Sequence, residues 1–283
     1  MNTAHVLVER ASTESYRFAF LVTTFLGGLL LFTLQPMIAR MALPRLGGTP
    51  AVWNSAMLSY QVLLLGGYAC AYLLSRLSAA QQVMIYIGLL IVASFWLPVG
   101  LLVGDPPTNS NPIFWVPWLI IASIGPPFFI LAAQAPLLQN WYGKWTGREP
   151  YHLYVASSLG NFVGLLLYPF VLEPFLSIRD QRNVWSCGFG VFGLLIAVCA
   201  AFGMRKSNTD QSVQIVAPQP KRNFKRLAQW TLIAAVPSGL ILSTTLHLTT
   251  DIVAMPLIWI VPLGLYLLSF SLAFSNTSSW PIS

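Results

Sequence analysis

Apolar stretches of about 20 residues recur along the whole chain and restrict it to one class of fold. Each stretch is long enough for an α-helix to cross a hydrocarbon core about 30 Å thick. The stretches are continuously apolar, whereas the strands of a membrane β-barrel alternate polar and apolar residues. The candidate spans are 18–39, 52–74, 83–103, 112–140, 152–172, 184–204, 228–248 and 253–274. The sequence therefore predicts an all-α integral membrane protein, a polytopic bundle of about eight transmembrane helices.

The amounts of charge and of cysteine support this class. Charged residues make up 8% of the chain and hydrophobic residues 56%, against about 25% charged residues in a soluble domain. The net charge of +7 comes from basic residues in the loops, which favours orientation in a membrane over nucleic-acid binding. Cys70, Cys187 and Cys199 lie in apolar runs without metal-ligand spacing. No metal site and no cofactor is predicted.

The distribution of Lys and Arg predicts the orientation, because cytoplasmic loops carry the excess of both. With the N-terminus inside, the outer loops hold only Arg40, Arg45, Arg179 and Arg182 of the 15 basic residues. The inner segments hold the remaining eleven, and eight spans then return the C-terminus to the same side. We expect a multi-pass protein of the plasma membrane, the inner membrane in a bacterium, with its N-terminus in the cytoplasm.

One long polar loop divides the membrane part. Residues 1–17 are predicted to be a cytoplasmic N-terminal segment, 18–204 a six-span bundle, 205–227 a basic cytoplasmic loop and 228–283 a two-span hairpin. Four basic residues close the loop: Lys221, Arg222, Lys225 and Arg226. Basic side chains beside a membrane attract anionic inner-leaflet lipid by about 1 kcal/mol each. Lipid of this kind is one predicted partner.

The fourth apolar run carries several prolines and predicts a helix that is broken or tilted. Pro126 and Pro127 follow Gly125, and Pro136 comes ten residues after Pro126. Broken helices form mid-membrane binding sites in many transporters, although proline kinks also occur in plain membrane helices. The candidate intramembrane polar residues are Gln35, Gln134 and Asn161. Asn161 is expected to form a hydrogen bond across helices, since an unpaired amide in hydrocarbon is costly.

Ala156, Gly160 and Gly164 are spaced four residues apart in the fifth run. Small residues on one helix face let a neighbouring backbone approach closely. These three residues therefore predict a tight helix contact, more typical of packing within the chain than of a dimer contact.

Four polar residues are predicted to reach the outer face: Arg40, Glu173, His247 and Asp251. If they meet, they form an ion-pair cluster or a small polar site; otherwise each is a solvated loop residue. A His–Asp pair four residues apart within a membrane would indicate a proton relay or an ion-coupled site. The apolar runs on either side of His247 and Asp251 are each long enough to span, which favours a turn at the surface.

Tryptophans lie near the predicted ends of the spans, as an interfacial aromatic belt would require. They are Trp53, Trp96, Trp115, Trp118, Trp141, Trp145, Trp185 and Trp230.

Several segments together resemble a known family. They are "LLFTLQPMIARMALPRLGGTPAVWNSAMLSYQVLLLGGYACAYLLSR", "APLLQNWYG", "YHLYVASSLGNFVGLLLYPFVLEPF" and "TTLHLTTDIVAMPLIWIVPLGLYLLSFSLAF". In order and spacing they resemble the membrane region of fused spermidine-synthase-like membrane proteins, over most of residues 18–274. The resemblance implies a multi-spanning part that precedes a cytoplasmic synthase-like domain. The segments carry no residues for aminopropyl transfer, and Ser158 stands where the family pattern has an asparagine.

Two functions are compatible with these features. The first is a non-catalytic membrane module, a scaffold or a subunit of a larger membrane complex with a protein partner. The alternative is a transporter or permease for a small solute, for example a cationic one such as a polyamine. The chain has no glycine-rich phosphate loop, no metal-spaced His/Cys cluster and no nucleophile elbow. A membrane-embedded enzyme is therefore the least favoured hypothesis.

Overall fold

Helices account for nearly all of the chain that the computed structural model describes, which is residues 3–47, 49–102, 104, 112–147, 149–209, 224–247 and 260–274. They are α1 (Thr3–Leu46), α2 (Pro50–Leu74), α3 (Ala79–Ser94), α4 (Pro112–Thr146), α5 (Tyr151–Leu167), α6 (Glu173–Phe175), α7 (Ile178–Thr209), α8 (Phe224–His247) and α9 (Ile260–Phe274), with a π-helical turn, Tyr168–Leu172, between α5 and α6. Over these residues there is no strand. The predicted all-α fold is confirmed.

Five helical segments are long and apolar enough to cross a membrane: Tyr16–Leu46, Ala51–Leu74, Ile113–Thr146, Tyr151–Phe175 and Ile178–Met204. They match the first, second, fourth, fifth and sixth predicted spans. The third predicted span differs, because α3 ends at Ser94 after 16 residues and is only about 24 Å long at about 1.5 Å per residue. Within the described residues the apolar part of α8, Ala228–Ile241, is also short. The total of eight spans and the cytoplasmic N-terminus remain predictions.

The helix α4 is continuous, so of the two predicted alternatives, a break or a tilt, the break is wrong and the tilt stays a prediction. Proline removes the backbone donor that would bond the carbonyl four residues earlier, and Pro126 thereby releases the carbonyl of Ala122. The indole Nε1 of Trp96 donates to that oxygen at 2.9 Å. A side chain outside the helix thus replaces the donor that is lost at Pro126.

The middle of the bundle is formed by α1 and α4. Two thirds of the apolar window of α4 (67%) is buried inside the protein, compared with 33% of that of α2. The most extensive packing is between α2 and α4 and between α1 and α5, and α1 also contacts α4 and α7. Any buried polar group on α1 or α4 therefore faces protein rather than lipid.

Three of the tryptophans assigned to an interfacial belt lie inside the bundle instead. Trp141, Trp145 and Trp185 are 1%, 7% and 4% exposed. The Nε1 of Trp141 donates to Oε1 of Gln82 at 2.8 Å, and that of Trp185 donates to the carbonyl of Leu30 at 2.9 Å. The indole N–H groups of Trp141 and Trp185 thus stabilise helix contacts. The three tryptophans lie near the ends of candidate spans, as predicted, but they face protein rather than an interfacial belt. Trp118 and Trp230 are exposed.

The last two described helices differ in how they are attached. On α9, Leu267 packs against Leu165 of α5, with Phe162 and Leu263 beside them. The helix α8 contacts α9, but almost all of its described side chains are exposed.

Candidate functional site

The contact between α1 and α5 is made by backbone against backbone. A β-carbon on Gly160 would lie 2.2 Å from the carbonyl oxygen of Phe25, and one on Gly164 would lie 2.6 Å from that of Leu29. Ala156, one turn earlier, is also buried. The three small residues singled out in the sequence therefore face α1. Only glycine fits at positions 160 and 164, since any side chain would overlap a main-chain oxygen.

Two adjacent glycines of α1 make room for two amide side chains. A β-carbon on Gly27 would lie 2.6 Å from Cδ of Gln134, which projects from α4. A β-carbon on Gly28 would lie 2.5 Å from Oδ1 of Asn161, which projects from α5. The structure thus places two of the three predicted intramembrane polar residues beside one turn of α1.

Thr24 completes this polar region. It is fully buried, three residues before Gly27 and four before Gly28, and residues at these spacings are neighbours on a helix surface, about 5–6 Å apart. The Nε2 of Gln134 donates to the backbone carbonyl of Thr24 at 3.4 Å. Gln134 of α4 and Asn161 of α5 therefore both lie beside the stretch of α1 from Thr24 to Gly28.

The three side-chain oxygens of this region are buried without a hydrogen-bond partner. They are Oγ1 of Thr24, Oε1 of Gln134 and Oδ1 of Asn161, and we call them the oxygen cluster. A buried polar atom left unpaired costs about 1–3 kcal/mol, so such atoms are few in native proteins. The two amide oxygens can only accept a hydrogen bond, whereas the hydroxyl of Thr24 can donate or accept one.

Sequence reasoning missed Thr24, Gly27 and Gly28. The signal was present in "TTFLGG", residues 23–28, in which a threonine precedes two glycines by three and four residues within an apolar run. Periodicity places the three on one helix face. It does not show that amides from two other helices meet them there.

The third predicted polar residue, Gln35, lies elsewhere. It is seven residues beyond Gly28 on α1, about 10 Å along the helix axis. It is half-buried, and its backbone carbonyl accepts a hydrogen bond from the hydroxyl of Tyr60 at 3.3 Å. Gln35 is thus not part of the oxygen cluster.

Arg40 and Glu173, both predicted for the outer face, are in contact. The Nε of Arg40 lies 3.6 Å from Oε1 of Glu173, and its Nη1 donates to the backbone carbonyl of Glu173 at 3.3 Å. Their side chains are 36% and 38% exposed. Ion pairs this exposed contribute about 0–1 kcal/mol, so this pair positions the chain more than it stabilises it.

The ion pair lies at the end of the π-helical turn, where another side chain holds the backbone. Gln181 of α7 donates from Nε2 to the carbonyls of Leu172 and Leu176 at 3.0 and 2.9 Å. Its Oε1 accepts from the hydroxyl of Tyr168 at 3.3 Å. Gln181 and Arg40 together satisfy backbone oxygens where the regular helix ends, so Arg40 and Glu173 belong to a structural anchor.

The remaining predicted site residues lie at the two ends of α8 or outside the residues that the structure describes. His247 is exposed at the last position of α8, and Asp251 lies outside the described residues. The proton relay therefore stays a prediction. Lys225 and Arg226 are exposed in the first turn of α8, whereas Lys221 and Arg222 lie outside the described residues.

An apolar groove opens where the end of α1 meets the starts of α2 and α4. Its lining includes Ile38, Leu46, Val52, Trp53, Tyr60 and Val116. Such a lining suits an aliphatic chain rather than a charged solute.

Comparisons of the chain with protein-family models, with curated proteins and with solved structures found no match. The resemblance to fused spermidine-synthase-like membrane proteins therefore remains a prediction from the sequence.

Proposed function

We propose that the chain is a non-catalytic membrane module, a scaffold or subunit of a larger complex in the plasma membrane. It would be related to the membrane part of spermidine-synthase-like fusion proteins. The observation that carries the proposal is the exposed face of α8, a helix that the rest of the described chain leaves almost uncovered.

This face of α8 is made of small side chains. Thr231, Ala235, Gly239 and Ser243 are spaced four residues apart and are all exposed, and we call them the α8 small face. A β-carbon on Gly239 would meet no atom within 4 Å. At about 3.6 residues per turn, Trp230 and Ile233 point to the other side of the helix. Leu232, which is 68% exposed, lies beside Gly239 and Ser243, so the small residues form a strip with one large side chain next to it.

A second helix is a better neighbour for the α8 small face than lipid is. Lipid chains gain little from small side chains, whereas a helix backbone can approach them closely. The side of α8 that carries Trp230 and Ile233 is well suited to lipid. We therefore assign the α8 small face to a transmembrane helix of a protein partner.

Anionic lipid is the second proposed partner, bound beside the start of α8. Lys225 and Arg226 lie exposed in its first turn, and Lys221 and Arg222 precede them in the chain. A group of four basic residues next to an apolar helix attracts inner-leaflet headgroups. This lipid contact would hold the start of α8 at the cytoplasmic surface.

Photo-crosslinking from two matched glycines tests the scaffold proposal. A photoreactive residue replaces Gly239 of α8 or Gly190 of α7, both of which have no atom within 4 Å of an added β-carbon. In native membranes we expect a discrete protein adduct from position 239 and none from position 190. Gly239→Leu should abolish complex formation while the isolated chain keeps its thermal stability. Lipid adducts alone at both positions, with a chain that always runs alone in mild detergent, would contradict the proposal.

Transport of a small cationic solute is the second candidate function, and the oxygen cluster favours it. Buried polar groups at the meeting point of three membrane helices are where many transporters bind their substrates or coupling ions. In proteoliposomes a transporter would take up labelled putrescine or spermidine with saturation, and Gln134→Leu would reduce that uptake. Uptake equal to that of empty liposomes would exclude this function for polyamines.

A further inference from the structure

We infer that two copies of the chain associate through one face of α2, with the amide of Gln61 in the contact. The face is formed by Asn54, Leu58, Gln61 and Leu65, and we call it the α2 amide face. This contact goes beyond the proposed function, because the partner proposed above covers α8. Self-association through α2 neither requires that partner nor excludes it.

Gln61 places an amide on the surface of a membrane-spanning helix, near the middle of the span. It lies ten residues after Ala51 and thirteen before Leu74, about 15 and 20 Å from the two ends along the helix axis. Its side chain is exposed and forms no hydrogen bond with any residue that the structure describes. Hydrocarbon offers neither donor nor acceptor, so an unpaired amide at this depth is costly. A second amide brought to this surface would remove that cost.

The depth of Gln61 distinguishes it from the other amides of the five candidate spans. Among the side chains that the structure describes there, the other exposed amides are Asn54 and Asn183. They are the fifth residue of α2 and the sixth of α7, close enough to a helix start for headgroups or water to reach them. Gln134 and Gln181 are each 2% exposed and face protein. Gln61 alone among these amides faces the lipid deep in a span.

The residues of the α2 amide face follow one line along the helix. They are separated by four, three and four residues, the steps of a heptad seam, and at 3.6 residues per turn they fall within about 60° of the helix circumference. Leu58 and Leu65 are 55% and 69% exposed. Tyr68, the next residue in the series, interacts electrostatically with Tyr266 of α9. The open part of the seam therefore ends at Leu65, and the contact lies in the first two thirds of α2.

A second copy is the occupant that this face fits. Two copies in one membrane have the same orientation, so a two-fold axis along the membrane normal makes their α2 helices parallel and sets each residue opposite itself. An amide both donates and accepts, so Gln61 can pair with Gln61, and Asn54 with Asn54, of the second copy. Leucines in heptad steps interlock between parallel helices. The helix α2 contains no charged residue, so it does not repel its own copy.

Photo-crosslinking in native membranes tests the contact. A photoreactive residue replaces Leu65 of the α2 amide face or Leu194 of α7, because both side chains are 69% exposed. Two differently tagged forms of the full chain are expressed together. We expect an adduct of twice the chain mass that carries both tags from position 65, and none from position 194. An adduct only with another protein, or only with lipid, would overturn the assignment to a second copy.

Variants of Gln61 test the role of the amide. Chains labelled with a donor or an acceptor fluorophore are reconstituted in liposomes, and energy transfer is followed over a range of protein-to-lipid ratios. Hydrogen bonds between membrane helices contribute little individually, so Gln61→Leu should raise the dissociation constant of the dimer about 3- to 30-fold. Gln61→Asn keeps an amide and should raise it less. Dimerisation unchanged in Gln61→Leu would overturn the role of the amide.

Two further measurements separate this contact from a folding defect and from the partner of α8. Gln61 bonds no described residue, so Gln61→Leu should keep the wild-type circular dichroism spectrum in detergent. Gly239→Leu, which changes α8, should leave the energy transfer between copies unchanged. A wild-type chain that shows no energy transfer at any protein-to-lipid ratio would refute self-association, whatever binds α8.

Discussion

The small residues of α5 and those of α8 share the same four-residue spacing but have opposite surroundings. On α5, Gly160 and Gly164 lie directly against main-chain carbonyls of α1. On α8, Gly239 faces open space on a helix whose side chains are almost all exposed. The spacing therefore shows which face of a helix can be approached closely. Whether a neighbour within the chain occupies that face depends on the tertiary fold.

The partner helix accounts for the difference. In α1, Gly28 lies opposite α5, so neither helix places a β-carbon at their closest approach, and two backbones can meet. The helix α8 instead adjoins α9, which itself packs on α5. The interior of the bundle is thus closed around α1, while α8 lies at its edge.

The largest expected effect comes from adding one methyl group to Gly160, which lies against α1. Gly160→Ala places its β-carbon 2.2 Å from the carbonyl oxygen of Phe25, so α1 and α5 must separate. Overpacking of this kind costs about 1–3 kcal/mol, and we expect the upper end because backbone is displaced. The free energy of unfolding is measured by SDS titration in mixed micelles.

Gly239→Ala on α8 is the matched control for that measurement. Its added methyl group meets no atom within 4 Å, so the free energy of unfolding should change by at most about 0.5 kcal/mol, as at other open surface positions. If Gly160→Ala and Gly239→Ala lowered the free energy of unfolding equally, the close contact between α5 and α1 would be contradicted.

An intermediate effect is expected from removing the hydrogen bond that the indole of Trp96 donates to the carbonyl of Ala122 in α4. Trp96→Phe leaves the Ala122 carbonyl unpaired beneath Pro126, which should destabilise the chain by about 1–3 kcal/mol. In a Pro126→Ala background residue 126 regains its N–H and can bond Ala122 itself, so Trp96→Phe should cost less. Additive costs in this double-mutant cycle would contradict the proposed role of Trp96.

The smallest effect is expected for the exposed ion pair between Arg40 and Glu173. Glu173→Gln removes the charge but keeps the backbone carbonyl to which Arg40 donates. The loss should be below about 1 kcal/mol, and it should shrink further in high salt. A larger loss would mean that Glu173 interacts with more than Arg40, and His247→Ala measured alongside would show whether α8 contributes.

The sequence predicted the class of fold and the small face of α5 because both depend on local patterns. It did not show that α4 continues past Pro126, because the donor that bonds the released carbonyl of Ala122 comes from Trp96, 26 residues away. It misplaced Trp141 and Trp185 for a similar reason. The same indole suits a membrane interface and a buried hydrogen bond, and only the neighbours distinguish the two.

The sequence by itself determined that the chain forms long apolar helices, and it determined where most of them lie. Both properties depend on the length of an apolar run and on the helical period, which are features of a single segment. What only the tertiary structure decided is which polar atoms meet. Gln134 and Asn161 are 27 residues apart, and both amides lie against α1 only because Gly27 and Gly28 carry no side chain there. Contacts between distant segments depend on the packing of all the helices at once, and no local pattern encodes that packing.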